Sequence, residues 1–133
     1  EHIPGVSIEA HGLSHHAMRE DRLAELKNLQ TAEFQQLAGL LKSLQATADG
    51  GGNLLDRTQV LYGSNLGNAS SHDTKNLPII LAGGGYKHGQ HLAFDRANNY
   101  QLSNLHVTML QRMGLETDKF SYSNGTMKGL EFA

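Results

Sequence analysis

Apolar residues recur every three or four positions between residues 17 and 47. The repeat consists of Leu23, Leu26, Leu29, Phe34, Leu37, Leu40, Leu41 and Leu44, with charged residues between them. This period predicts one long amphipathic helix. A second helix is predicted for residues 103–113, where apolar side chains share one side and Gly114 follows as a stop signal.

Three short stretches have the pattern of strands. Val6, Ile8 and Ala10 alternate with polar residues, which predicts a half-buried strand. Residues 58–63 and 77–82 are largely apolar runs, typical of parallel strands buried on both faces. Because predicted strands alternate with predicted helices, we expect an α/β fold with a mainly parallel sheet and flanking helices.

Two kinds of connection separate these elements. Residues 47–53 contain three consecutive glycines, which predict a turn or hinge. Residues 64–76 form a longer connection that is rich in Ser, Asn and Thr and includes His72 and Asp73. Because long polar loops carry function more often than helices do, we expect the functional residues there.

The composition is that of one ordinary folded domain. The chain has 133 residues, of which 38% are hydrophobic and 18% charged, so we expect a single α/β domain over residues 1–133. Its formal charge of −2 provides no basic stripe for phosphate backbones, and nucleic acid is not an expected partner. No apolar run approaches the roughly 18 residues that a membrane span requires.

The absence of cysteine restricts the possible chemistry. A chain with no cysteine has no disulfides, no thiolate zinc site and no cysteine nucleophile. Any metal site must therefore use nitrogen and oxygen ligands. The chain also begins at Glu1 rather than at a methionine, from which we expect it to be a piece of a longer precursor.

Three of the eight histidines are clustered near the start of the chain. They are His11, His15 and His16, and the carboxylate of Glu9 is close to them in sequence. Neutral imidazole is the commonest protein ligand for zinc, and ligands from one short segment cost little loop entropy to bring together. The cluster therefore predicts a metal site, although solvated loop histidines would give the same sequence.

Residues 11–16, HGLSHH, fit the HxxSHH pattern. The chain resembles the carboxyl-terminal part of a family of exported bacterial proteins named after this motif, whose function is unknown. The resemblance extends nearly end to end, through residues 54–56, 60–64, 76–85, 89–92, 104–105 and 112–114. It implies an exported protein, periplasmic or at the cell surface.

That family is in turn similar to the alkaline phosphatase-like superfamily in the order of its elements. The similarity implies that this chain is the carboxyl-terminal part of a larger domain of that fold. It also implies a metal held by His11, His15 and His72, because their order and spacing match the superfamily's first metal site. Three nitrogen ligands leave a coordination position open, as in catalytic zinc sites, so one divalent ion, most simply zinc, is the expected cofactor.

Four other residues, Glu9, His16, Asn65 and Asp73, are expected to support the site or to contact the substrate. His16 would contact the ligand imidazoles or the substrate, and Asp73 or Glu9 would orient a ligand imidazole through its second nitrogen. Two alternatives remain open at this point: His72 as a loop-capping residue, and Asp73 as a plain turn former.

The chain also departs from the superfamily pattern. Asn65 stands where the superfamily's second metal has an aspartate, and an amide is a poor substitute for a carboxylate on a hard dication. Asn65 is therefore expected only to support the site or contact the substrate. The superfamily's nucleophile belongs to an amino-terminal half that this sequence does not contain, so whether the chain is an enzyme is left undecided.

Two functions follow from these patterns. The first is the metal-binding part of an exported hydrolase that acts on a small anionic ester of phosphate or sulfate. The alternative is a non-catalytic exported protein that uses the same scaffold for binding or structure. The expected partners are the small ester or another ligand, the rest of the precursor, and other exported subunits.

Overall fold

The computed structural model describes residues 2–133, and within that range it contains four α-helices and two short sheets. The helices and strands, in chain order, are α1 (Ala10–Ser14), α2 (Glu20–Ala46), β1 (Ala48–Asp49), β2 (Gly52–Asn53), α3 (Leu54–Arg57), β3 (Gln59–Gly63), β4 (Ile79–Gly83) and α4 (Leu102–Arg112), with a 3₁₀ turn over Ala69–Ser71. The predictions of α2, β3, β4 and α4 as elements are confirmed to within a few residues.

The predicted α/β fold with a mainly parallel sheet is wrong. Strands β1 and β2 pair antiparallel with each other, and β3 and β4 pair antiparallel in a separate sheet. No parallel pair occurs within residues 2–133. This arrangement is not the carboxyl-terminal part of an alkaline phosphatase-like fold, and the fold implied by the resemblance is corrected accordingly.

The strand direction was mispredicted because an apolar run does not encode it. Strands β3 and β4 follow each other along the chain without an α-helix between them, and such neighbours usually pair antiparallel because a parallel pair needs a crossover connection, most often a helix. The prediction that both strands are buried on two faces is also wrong. Ile80 in β4 is 40% exposed, which leaves part of this sheet uncovered.

The predicted strand at residues 6–10 is also absent. Only three alternating apolar positions supported it, and the chain instead turns and begins the short helix α1 at Ala10. The burial of Leu13 explains why a helix forms in place of the predicted strand, because α1 packs against α2 and this side chain is fully buried. Burial of this leucine on a helical turn outweighs a weak alternating pattern.

Helix α2 extends for 27 residues and has no fully buried residue. It contacts α1 and α3, and its Phe34 lies beside Tyr62 of β3 with ring centroids 5.5 Å apart. Glu33 accepts a hydrogen bond from the Tyr62 hydroxyl at 3.3 Å. None of the helices in residues 2–133 is both long enough and apolar enough to cross a membrane.

The best-buried part of the structure surrounds α4. Leu105 and Val107 of this helix are buried together with Tyr86. Buried Asn104 exchanges two hydrogen bonds with Asn124, donating to its side chain at 2.8 Å and accepting from its backbone N–H at 3.0 Å. These two hydrogen bonds give the buried side-chain amide of Asn104 its partners, and they attach the carboxyl-terminal segment to α4.

Long polar side chains join α4 to the β3–β4 hairpin. Gln59 of β3 donates to the backbone oxygen of Met109 at 3.0 Å, and Arg112 donates to the backbone oxygen of Gly84 at 2.7 Å. Gly83 has φ of +73°, and a Cβ there would overlap the carbonyl oxygen of Thr58. The end of β4 therefore requires glycine.

Truncation of Leu105 tests the location of the core. The Leu105→Ala variant is expected to lower the free energy of unfolding by about 2–5 kcal/mol, because it leaves a cavity beside α4. The matched Leu40→Ala change, at a side chain that is 50% exposed, is expected to cost less than about 1 kcal/mol. Urea denaturation measures both values, and equal losses would contradict this location.

Candidate metal centre

Helix α1 places two of the predicted ligands on one side. His11 lies in its first turn and His15 is its C-cap, with the His15 backbone N–H donating to the His11 carbonyl at 3.3 Å. Residues four apart on a helix are neighbours, and these two imidazoles lie with ring centroids 4.8 Å apart. Both side chains are exposed, while Leu13 between them faces the interior.

The loop between β3 and β4 supplies the third histidine. Within it, the backbone N–H groups of Gly67 and Asn68 donate to the Asp73 carbonyl, and the Asp73 N–H donates to the Asn68 carbonyl. The Asn68 side chain accepts from the Ser71 N–H at 3.4 Å and so caps the 3₁₀ turn. The loop is thereby closed on itself, with His72 at its tip.

The tip of this loop meets α1. The Nε2 atoms of His15 and His72 lie 3.2 Å apart, although the residues are 57 positions apart in the chain. Their ring centroids are 4.9 Å apart. Two nitrogens bound to one tetrahedral zinc at 2.0–2.1 Å would lie roughly 3.3 Å apart. The same separation also suits a hydrogen bond between two neutral imidazoles.

The side chain of His11 lies close to His15 but does not share one metal position with His15 and His72. His11 touches His15, and His15 touches His72, so the three rings form a row with His15 at its centre. Within residues 2–133, no group of three or more His, Asp and Glu side chains is arranged to hold a metal ion as it stands. Three-nitrogen ligation would therefore require the exposed His11 side chain to turn toward the other pair.

A left-handed backbone conformation occurs at His72 and at the two residues that follow the histidine motif of residues 11–16. His72 has φ of +53° and ψ of +33°, and Ala17 and Met18, after the histidine motif, have φ of +47° and +60°. A left-handed conformation costs an L-residue roughly 1–2 kcal/mol. Such strain persists where the surrounding structure imposes it, and it is concentrated at functional sites.

His16 is used in a different way from its neighbours. Its Nδ1 atom accepts a hydrogen bond from the Met18 backbone N–H at 3.1 Å, which stabilises the left-handed turn. A contact between His16 and the ligand imidazoles was predicted, but His16 forms no hydrogen bond to His11, His15 or His72 within residues 2–133. Glu9 precedes α1 as its N-cap without capping it through the side chain. Its carboxylate lies over Gly12, within 3.1 Å of where a Cβ would be.

The structure gives the other two predicted supporting residues loop roles. Asp73 accepts from the Lys75 backbone N–H at 3.0 Å, so its carboxylate forms a turn, as the alternative interpretation of this residue proposed. Asn65 is exposed and lines a groove along β4. Neither side chain has a hydrogen bond to His11, His15 or His72 within the described part of the chain.

The residues that hold the histidines in place lie outside the predicted site. Asn68 and Gly67 close the loop, and a Cβ at Gly67 would overlap the carbonyl oxygen of Lys75. An Asn directly before the 3₁₀ turn, at its N-cap position, was the available signal. Ser7 was missed. Its N–H donates to Glu25 at 2.7 Å, and its hydroxyl donates to the same carboxylate at 2.9 Å, which attaches the segment before α1 to α2.

In comparisons with known proteins, no family model, curated protein or solved structure matches this chain. The HxxSHH resemblance and the roles that it implies therefore rest on the residues of this chain alone.

Substitution of Gly67 tests whether the loop positions His72. The Gly67→Ala variant is expected to displace the loop, because its methyl group would overlap the Lys75 carbonyl. A nuclear Overhauser effect between the His15 and His72 rings should be present in the parent protein and lost in this variant. In the control, Gly39→Ala on α2, no atom lies within 4 Å of the added Cβ. Retention of the effect in Gly67→Ala would contradict this role.

The Ser7–Glu25 contact predicts a dependence on pH. Hydrogen bonds from the Ser7 backbone and hydroxyl hold the pKa of Glu25 below its ordinary value of 4.5. A depressed pKa means that the stabilisation is present above pH 4.5 and is lost as the pH falls through the folded-state pKa. A carbon-detected NMR titration should show this low pKa. Ser7→Ala should raise it only in part, since the backbone donor remains. An ordinary pKa in the parent protein would contradict the contact.

Proposed function

We propose that this protein binds one divalent metal ion, zinc, through His11, His15 and His72. The observation that carries the proposal is the 3.2 Å approach of the Nε2 atoms of His15 and His72. These side chains come from α1 and from a distant loop, and both are exposed. Apolar burial does not draw two exposed imidazoles together, and their separation fits the nitrogen–nitrogen distance of two ligands on one zinc ion.

The donor set suits zinc and similar ions. Neutral imidazoles are preferred by zinc, copper, iron and nickel, whereas magnesium and calcium prefer oxygen ligands. The chain has no cysteine to compete for such an ion. Because the three ligands are exposed, a small molecule can reach the remaining coordination position.

An open three-histidine site supports hydrolysis of a small anionic ester as the first candidate activity. A bound ion would supply Lewis-acid polarisation of the ester oxygen. The chain's own residues would hold that ion and present one face of it to solvent. This activity rests on the metal site and on the motif, and not on a shared fold.

A non-catalytic role for the same site is the second candidate. It is favoured by the loop roles of Asp73 and His16, whose hydrogen-bonding atoms already stabilise turns. In that case the ion would join α1 to the β3–β4 loop and stabilise their contact. Binding of metal without turnover of esters distinguishes this candidate from the first.

The wider proposals follow from the histidine motif. We propose that the chain belongs to the HxxSHH family and is exported, and that its partners are the rest of its precursor or other exported subunits. The near end-to-end resemblance of residues 11–16, 60–64 and 76–85 supports the membership.

Zinc binding is tested by equilibrium dialysis with elemental analysis and by titration calorimetry. We expect one zinc per chain. His15→Ala and His72→Ala should each weaken binding by at least about 100-fold, since even loss of an outer-shell partner costs 10–100-fold. The matched control is His91→Ala, at an exposed histidine of another loop, and it should bind like the parent protein.

Two results would contradict the metal site. One is a parent protein that takes up no zinc at neutral pH after refolding with the ion. The other is zinc binding that is as tight in His15→Ala and His72→Ala as in the parent protein. Hydrolysis of para-nitrophenyl phosphate and para-nitrophenyl sulfate by the zinc-loaded protein then separates the two candidate functions.

A further inference from the structure

The sheet formed by β3 and β4 has open edges. The Ser64 N–H donates to the Pro78 carbonyl at 3.2 Å, so alternate pairs along the ladder, Tyr62 with Ile80 and Val60 with Ala82, are the hydrogen-bonded ones. The backbone groups of Ile79 and Leu81 therefore point away from β3. Within residues 2–133, no loop backbone group or side chain hydrogen-bonds to them.

The outer edge of β4 faces a groove of about 2060 Å³. Every residue from Thr74 to Ala82 lines this groove, whereas β3 contributes only Tyr62 and Gly63. A groove over one face of the sheet would be lined by alternate residues of both strands. Consecutive lining by β4 indicates that the groove follows the edge of the strand.

The sides of the groove are apolar and incompletely covered. Phe34 and Leu40 of α2 line one side and are 47% and 50% exposed. Leu92 and Phe94, from the loop before α4, also line it. A two-stranded sheet alone is marginally stable in water, and an unpaired apolar edge is a template for another strand.

The charges around the groove favour an acidic partner. Lys75, Lys87 and Arg96 line it, and Glu33 is its only carboxylate within residues 2–133. Lys87 is paired with Glu131 at 3.1 Å. Lys75 and Arg96 take part in none of the salt bridges formed among these residues, so their charges are available to a ligand.

We propose that the groove binds an extended peptide segment of a partner protein, whose apolar centre is flanked by acidic residues. The segment would add a third strand to β4 by hydrogen-bonding to the backbone of Ile79 and Leu81. Its apolar side chains would contact Phe34 and Leu40, and its acidic ends would pair with Lys75 and Arg96. The proposal does not depend on metal binding.

A synthetic peptide tests the hydrogen bonds without altering the protein. The probe is a labelled peptide of alternating valine and threonine with two aspartates at each end, titrated in chelator by fluorescence anisotropy. N-methylation of its alternate amides should weaken binding by about tenfold or more, because one to two backbone hydrogen bonds are lost. On binding the unmodified peptide, the amides of Ile79 and Leu81 should become protected from hydrogen exchange.

A charge reversal tests the acidic preference. The double variant Lys75→Glu with Arg96→Glu should bind the aspartate-flanked peptide about fivefold more weakly, as expected for two exposed ion pairs. It should bind a lysine-flanked peptide of the same centre more tightly than the parent protein does. The matched control, Lys42→Glu on α2, changes a charge that is not part of the groove lining and should leave both affinities unchanged.

Three outcomes would overturn the proposal. One is equal binding of the N-methylated and unmodified peptides. Another is exchange protection that appears at other amides but not at Ile79 and Leu81. The third is a molecular mass by light scattering that doubles with protein concentration in the absence of peptide, with protection of the same two amides, since a second copy of the chain would then occupy the edge.

Discussion

The antiparallel pairing of β3 with β4 is the interaction on which the rest of the structure depends. It forces residues 64–78 to leave and re-enter the sheet at one end, and that loop carries His72 to α1. At the other end, Gly83 adopts the positive φ that the turn after β4 requires. There, hydrogen bonds of Gln59 and Arg112 join α4 to the hairpin. A parallel arrangement would have placed the loop and the helix differently.

Two surfaces beside this hairpin have features that its own contacts do not explain. The histidine row has exposed ligand atoms in contact and a left-handed backbone at His72. Along the groove, the outward backbone groups of Ile79 and Leu81 on β4 have no hydrogen-bond partner among residues 2–133, and Phe34 and Leu40 are about half exposed. Thr74 lines the groove two residues after His72, so the Cα atoms of these residues are at most about 7 Å apart. The Thr74 end of the groove therefore lies close to the backbone of His72, a proposed metal ligand.

Sequence patterns predicted the elements of this chain better than their arrangement. Helix α2 is long enough for its period to be unambiguous, whereas Val6, Ile8 and Ala10 provided too few positions to exclude a turn followed by α1. Apolar composition identified β3 and β4 but holds no information on direction. The clustering of His11, His15 and His16 in the sequence indicated a metal site, while the choice of His11, His15 and His72 as its ligands followed only from a family resemblance. Ser7 acts through hydrogen bonds to Glu25, 18 positions away in the chain, and no local pattern shows such a contact.

X-ray absorption spectroscopy of the zinc-loaded protein tests the three-histidine site most directly, because it counts the ligands and identifies imidazole by its outer-shell scattering. We expect three imidazole nitrogens at about 2.0–2.1 Å, with the remaining coordination supplied by solvent oxygen. The count should fall to two in His72→Ala. A first shell of oxygens only, or an imidazole count that is unchanged by loss of His72, would contradict the site.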